Sequence, residues 1–365
     1  MTNLPETNRS RPGPSGPLVS VVTPFYNTAD YLAECIESVL GQNYDHFEYI
    51  LVNNHSTDGS MEIAAQYARQ DARIRLHSNP TFLTQVQNYN AALGLISPES
   101  RYTKIVQADD TIFPRCLEEM VAVAESDASV GIVSSHALRG NVVTFDFFPF
   151  PGRVVSGREA GRFQLLEGRR FFGSPTTVLY RSDIVRGGKP FYEEGRYFED
   201  TENCFSTLLS WKLGFVRQVL SFLRDDNDSI MARIRALDPY WWMLDRLIIL
   251  RQFGPQFLSQ EEFDRCWSEV EREYLDHLGP YLCFVRDRRF WDYHLGGLES
   301  VNYRLTARDK RHAAARYLAT LFTRPRELLR IMSRLVPGMK VQPRLAFGSD
   351  NRLLAAPDRD ALRPR

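Results

Sequence analysis

The chain has no surplus of either charge: 45 Lys and Arg are matched by 45 Asp and Glu across 365 residues. A protein without a dominant basic field is not a default nucleic-acid binder, so no nucleic-acid partner is expected. No run approaches the roughly 18 consecutive apolar residues that a membrane-spanning helix needs. Cysteine is sparse and dispersed at Cys35, Cys116, Cys204, Cys266 and Cys283, with no pair at zinc or redox spacing. Such a set suits buried, reduced thiols. The seven histidines show no metal-ligand spacing either, and none is assigned a role. Residues 1–17 are polar, then rich in proline and glycine, without the apolar core of a signal peptide. They read as a flexible leader, and the expected setting is the cytoplasm. What remains, 43% hydrophobic and 25% charged, is the balance of an ordinary globular protein.

From residue 18 to about 135, short apolar runs alternate with amphipathic segments. Strands are expected at 19–23 (stopped by Pro24), 47–52, 74–76, 104–108 and 130–134, with helices at 61–70, 84–96 and 114–125. A further helix after Asn27, which can cap it, places Leu32, Ile36, Val39 and Leu40 on one face. This alternation implies βαβ units and a mostly parallel sheet flanked by helices. Ligands bind such sheets at the carboxyl ends of the strands. The polar clusters Phe25-Tyr26-Asn27, Asn53-Asn54-His55-Ser56-Thr57-Asp58 and Asp109-Asp110 all follow strands, so they belong to one sheet edge. Beyond 141 the pattern is less regular, with strands at 177–180 and 216–223. From Pro239 it is helical, over 240–253, 261–278, 307–322 and 326–335.

Two adjacent carboxylates at the end of a buried strand, Asp109 and Asp110, are costly unless a cation sits with them. Oxygen ligands favour Mg²⁺ or Mn²⁺, and Mg²⁺ pairs one or two carboxylates with substrate phosphates. A helix cap before Pro114 or a solvated turn is the competing reading.

Three ordered motifs then carry a resemblance. Val19-Ser20-Val21-Val22-Thr23-Pro24-Phe25-Tyr26-Asn27, Leu51-Val52-Asn53-Asn54-His55-Ser56-Thr57-Asp58-Gly59-Ser60 and Gln107-Ala108-Asp109-Asp110 with Pro114 resemble the family 2 glycosyltransferases of the GT-A fold. The likeness covers residues 18–135 well and 173–229 more weakly. It implies inverting transfer of a sugar from a nucleotide-diphosphate donor, UDP-linked, to a saccharide or lipid-linked acceptor in polysaccharide or glycolipid assembly. It also implies that Pro24 and Tyr26 flank the base, with Asn53 and Asn54 where the family often has Asp, and Gln107 in place of the first Asp of Asp-x-Asp. Asp109 and Asp110 then serve the metal, with Asp109 also facing the nucleotide.

Tyr197-Phe198-Glu199-Asp200-Thr201-Glu202 resembles the family's Glu-Asp motif, which implies Asp200 as base, with Glu199 as the second candidate; a plain helix cap fits the same residues. Gly173 and Ser174 resemble a loop lining the donor–acceptor cleft, and an ordinary turn fits equally. Arg224 and Asp226 stand near where relatives carry Arg-x-His, which implies roles toward the diphosphate or metal; an acidic surface turn competes. The arginines at 316, 324, 326, 330 and 334 alternate with apolar residues, so these helices either touch a membrane peripherally or pack on the enzyme. Trp241 and Trp242 read as core or a dimer contact.

The expected organisation is a leader (1–17), a GT-A domain (18–235, with a nucleotide half at 18–135 and an acceptor half at 136–235), a helical region (236–336) and a tail (337–365). Two rivals remain. A nucleotidyltransferase would carry a Gly-rich basic loop that 23–27 lacks. A sugar-nucleotide binder without turnover draws on the replacements at Asn53, Asn54 and Gln107.

Overall fold

The structure, a computed structural model, describes residues 16–187, 190–196, 198–224, 230–285 and 287–323. The first part runs β1 (Val19–Phe25), α1 (Ala29–Leu40), β2 (Phe47–Asn53), α2 (Ser60–Gln70), β3 (Ile74–Ser78), α3 (Gln85–Leu93) and β4 (Tyr102–Ile105). It continues with β5 (Thr111–Ile112), α4 (Cys116–Glu125), β6 (Val130–Arg139), β7 (Val142–Thr144), β8 (Val154–Val155) and α5 (Gly157–Glu167). A 3₁₀ turn at Pro175–Thr177 leads into β9 (Val178–Arg181), α6 (Ser182–Val185), α7 (Glu199–Leu208) and β10 (Lys212–Leu223). Helices α8 (Ile230–Leu237), α9 (Trp242–Phe257), α10 (Gln260–Phe284), α11 (Arg288–Ser300) and α12 (Ala307–Thr323) follow.

The main sheet path is β3-β2-β1-β4-β9-β6-β10-β5. Strands β1 to β4, β6 and β10 run one way, while β9 lies antiparallel between β4 and β6 and β5 pairs antiparallel with β10. The expected mostly parallel sheet is therefore present, with the antiparallel strands β9 and β5 in the second half of that path.

Alternation along the strands divides the interior into two cores. Val22, Ile50, Val52, Ile105 and Ile132 face one way and join α3, α5, α7, α9, α10 and α11. Val21, Tyr49, Leu51 and Val133 face the other and meet α1 and α4. The buried face of α1 is Leu32, Cys35, Ile36 and Val39, so Cys35 takes the place expected of Leu40.

Strand β1 does not stop at Pro24 but continues to Phe25. The Val22 carbonyl accepts from Val106 N–H on the β4 side, and the Phe25 carbonyl from Asn54 N–H on the β2 side. The Pro24 nitrogen thus points past the end of β4, where no ladder bond is lost. Asn27 does not cap α1. It adopts φ +50 just after β1, as His55 does at φ +61 after β2. The Asn27 Oδ1 accepts from Thr57 N–H at 2.8 Å, and the Asp58 carboxylate accepts from Ala29 N–H at 3.0 Å. The loops after β1 and β2 are tied together at the carboxyl edge.

The cysteines are free, and four of the five are buried. Helix α12, half of the expected basic pair, packs on α10: Ala313 and Leu321 are buried, and Arg316 pairs with Asp276 at 2.6 Å. Residues 326–335, the leader up to residue 15 and the tail at 337–365 lie outside the described residues. Among the described residues no helix is long and apolar enough to cross a membrane.

Candidate active site

A cavity of about 850 Å³ opens at the carboxyl edge of the sheet. Gln107, Asp109 and Asp110 line it from the turn after β4, Glu199 and Asp200 from the start of α7, and Ser174 and Arg224 from the neighbouring loops. Residues 90 apart in sequence therefore face one space.

The turn after β4 is held firmly. The Asp110 N–H donates to the Gln107 carbonyl at 2.9 Å. Asp110 is 4% exposed, and each carboxylate oxygen accepts a bond: Oδ2 from the Thr176 hydroxyl at 2.6 Å, and Oδ1 from Arg224 N–H at 3.0 Å. Thr176 Oγ1 also accepts from Gln107 N–H at 3.1 Å, and the Gln107 amide reaches the Tyr89 hydroxyl at 3.1 Å. Beneath them the fully buried Lys104 donates to the Thr176 carbonyl at 2.5 Å. Burial, and then the neighbouring Asp109 charge, push the Asp110 carboxyl up to about 7. Two crowded carboxylates at a cavity wall form a donor set that suits a hard divalent cation. The Arg224 guanidinium is engaged locally: Nε donates to the Asp109 carbonyl at 3.0 Å and an Nη to Glu34 at 2.6 Å.

The second acid pair opens α7. Burial and the Asp200 charge push Glu199 up to about 7. Asp200 is also raised, by burial against the pull of Arg170. Its Oδ1 accepts from Thr201 N–H at 2.6 Å, while Arg170 donates to the Thr201 hydroxyl at 2.8 Å and pairs with Asp245 at 2.7 Å. Gly173 adopts φ +148, where a side chain is strained, and its ideal Cβ would lie 3.3 Å from Thr201 Oγ1. It supports this corner without lining the cavity.

The residues expected around the base do not line the cavity. Pro24 is buried in β1, and Tyr26 is 43% exposed, edge-on to Phe82 with ring centroids 4.9 Å apart. Asn53 Oδ1 accepts from Ser56 N–H at 2.9 Å. Asn54 donates to the Leu83 carbonyl at 2.9 Å and accepts from Leu83 N–H and the Asn79 amide, both at 3.0 Å. It fixes the loop that carries Phe82. Asp226 lies outside the described residues. The sequence did not single out Tyr89, Arg139, Arg170 and Arg196, which also line the cavity. Trp241, expected in the core or at a dimer contact, lines it too, with its ring stacked 6.0 Å from that of Phe198.

A family model described as Glycosyl transferase family 2 matches residues 20–187. Glycosyltransferase GlyG of Streptococcus pneumoniae is 31% identical over 234 residues, covering 59% of this chain and 73% of that protein. The putative glycosyltransferase EpsE of Bacillus subtilis is 30% identical over 243 residues, covering 65% and 82%. Among solved structures, S. aureus TarS 1-349 in complex with UDP-GlcNAc matches with a TM-score of 0.58 at 17% identity, over 82% of this chain and 88% of that one. The sheet and its flanking helices have the GT-A fold. The chain belongs to the family 2 glycosyltransferases.

Proposed function

We propose that this glycosyltransferase moves a sugar from a UDP-linked donor to a hydroxyl acceptor, saccharide or lipid-linked, with inversion at the anomeric carbon. The observation that carries the reading is the single cavity holding both acid pairs, Asp109 with Asp110 and Glu199 with Asp200. The choice of uridine draws on TarS, whose complexes contain UDP-GlcNAc and UDP.

In this reading Asp109 holds Mg²⁺ or Mn²⁺ directly. Asp110, whose two oxygens already accept from Thr176 and Arg224, braces the turn. When bound, the cation supplies charge neutralisation for the departing diphosphate. Gln107 faces the ribose, and Tyr26 with Phe82 offers aromatic surface to the base. Asp200 takes the proton from the acceptor hydroxyl as its oxygen attacks the anomeric carbon, and its raised affinity for protons suits a base. Its charge in turn raises Glu199 beside it. Arg224 steadies the metal turn rather than gripping the diphosphate. Residues 18–135 serve the donor and 136–235 the acceptor, and the helices from 236 complete the wall. Free, dispersed cysteines fit a cytoplasmic enzyme.

The test is thermal stabilisation by UDP, GDP, CDP and TDP, each with and without Mn²⁺, for wild type, Asp109→Asn and Asp200→Asn. A ligand that binds only the folded state raises Tm. UDP with Mn²⁺ is expected to stabilise wild type and Asp200→Asn but not Asp109→Asn. Asp200→Asn should lose roughly 10²–10⁴-fold in turnover, the usual range for a general base. A shift common to all four nucleotides would remove uridine from the reading, and no shift with any would remove the donor site.

A further inference from the structure

We infer that Asp238, His277 and His294 form a second metal site, for a zinc-like transition-metal ion, within the helical layer and separate from the acid pair after β4. Asp238 follows α8, His277 lies on α10 and His294 on α11, so three elements converge on one point. Asp238 and His294 are completely buried, and the His277 side chain is 6% exposed. One ligand atom from each lies within 4.8 Å of the others.

The spacing is that of a coordination sphere. Asp238 Oδ2 is 3.0 Å from His277 Nε2 and 3.3 Å from His294 Nε2. Ligands at zinc bond lengths of about 2.0–2.1 Å and tetrahedral angles stand about 3.3 Å apart. The hydrogen bonding also leaves a gap that an ion would fill. His277 Nε2 bonds to the carboxylate, while His294 Nε2 stands 3.3 Å from the same oxygen without a well-aligned hydrogen bond despite complete burial. A ring nitrogen so poorly bonded at such depth is costly. A cation bound to Oδ2 and both Nε2 atoms satisfies it.

The surroundings orient the ligands. The Tyr274 hydroxyl lies 2.9 Å from His294 Nδ1, where it can accept the proton of that nitrogen and leave Nε2 as the ligand. Asp238 Oδ1 accepts from Tyr240 N–H at 2.9 Å, which turns Oδ2 toward the imidazoles. The Tyr281 and Phe290 rings pack on His277 and His294, with centroids 5.1 and 4.2 Å away. Two imidazoles and one carboxylate suit zinc, cobalt or nickel better than the Mg²⁺ of an all-oxygen site. The ion's role is to staple α8, α10 and α11. Trp241 and Tyr293, each within three residues of a ligand in sequence, line the main cavity, so the staple also fixes that wall.

The test uses the full chain in an Asp109→Asn/Asp110→Asn background, so that ions at the other acid pair are not counted. Chelator-treated protein is loaded with Zn²⁺, desalted and assayed for bound metal, with circular dichroism as the folding control. About one zinc per chain is expected, lost on adding His277→Gln or His294→Gln. Co²⁺ should give the intense visible absorption of a tetrahedral site in the background protein. Retention of no zinc, or of equal zinc after both histidines are replaced, overturns the site and leaves a plain Asp–His pair. Should the glutamine variants not fold, the Co²⁺ spectrum decides, and absence of tetrahedral absorption overturns it.

Discussion

Asn54 sits where the family often carries aspartate, and its surroundings explain the amide. Its nitrogen donates to the Leu83 carbonyl while its oxygen accepts twice. An aspartate would set a carboxylate against that carbonyl and lose the donor. The residue thus fixes the loop at 79–84, and the side chain this loop presents is Phe82, 60% exposed against Tyr26. Phe82→Ala is therefore expected to weaken nucleoside-diphosphate binding by about tenfold, within the roughly 1–3 kcal/mol of base stacking, with little change in Tm. Titration calorimetry with UDP and Mn²⁺ checks this. Glu202 gives a pH prediction. Burial, only partly offset by Arg196, raises its carboxyl to about 7, against about 4.3 unfolded. The ionised form is disfavoured in the fold, so the cost is absent below about pH 4 and complete above about pH 7. Glu202→Gln should stabilise the protein by about 1–3 kcal/mol at pH 8 and by little at pH 4.5, as read from urea unfolding at the two pH values.

Helix α7 owes its position to close contact with α5. A Cβ added at Gly157, the first residue of α5, would lie 2.0 Å from the Leu208 carbonyl oxygen and 2.1 Å from that of Trp211. Backbone cannot yield as a side-chain tip does, so Gly157→Ala should cost roughly 2–4 kcal/mol and tilt the helix that carries Glu199 and Asp200. Unfolding and turnover measured on the same variant should both report the damage. Among elements, those with strong periodicity were legible: β1, β2 and α1, and the acid pairs at the ends of β4 and the start of α7. Helices α5 and α11 were not. The first begins in glycines and arginines that mask its stripe, and the second is interrupted by Gly296 and Gly297, of which Gly297 admits Leu244 and Ile248 closely. The order of β9 between β4 and β6 is set by pairing partners distant in sequence, which no local pattern encodes. The histidines show the same limit: His277 and His294 are 17 residues apart, and only the packing of α10 on α11 brings them to Asp238.

At the scale of the molecule, one hydrophobic core runs from Val22 and Ile132 in the sheet through Phe172 and Phe205 to Leu244, Phe253, Tyr274 and Phe290 in the C-terminal helices. Removing those helices would bare the face of α5 and α7 that they cover. A chain ending at residue 235 is expected to lose cooperative unfolding and to bind the dye ANS, as poorly packed cores do; calorimetry and dye fluorescence check it.

The helices that finish the core also supply Trp241 and Tyr293 to the cavity wall. A change of this cavity wall by recombination is therefore constrained. A foreign helical layer must arrive with side chains that fit Phe172, Phe205 and Leu213, or the recipient loses its fold before it gains a new preference. In this molecule the heritable unit of cavity shape is a matched pair of surfaces, one on each side of a buried seam.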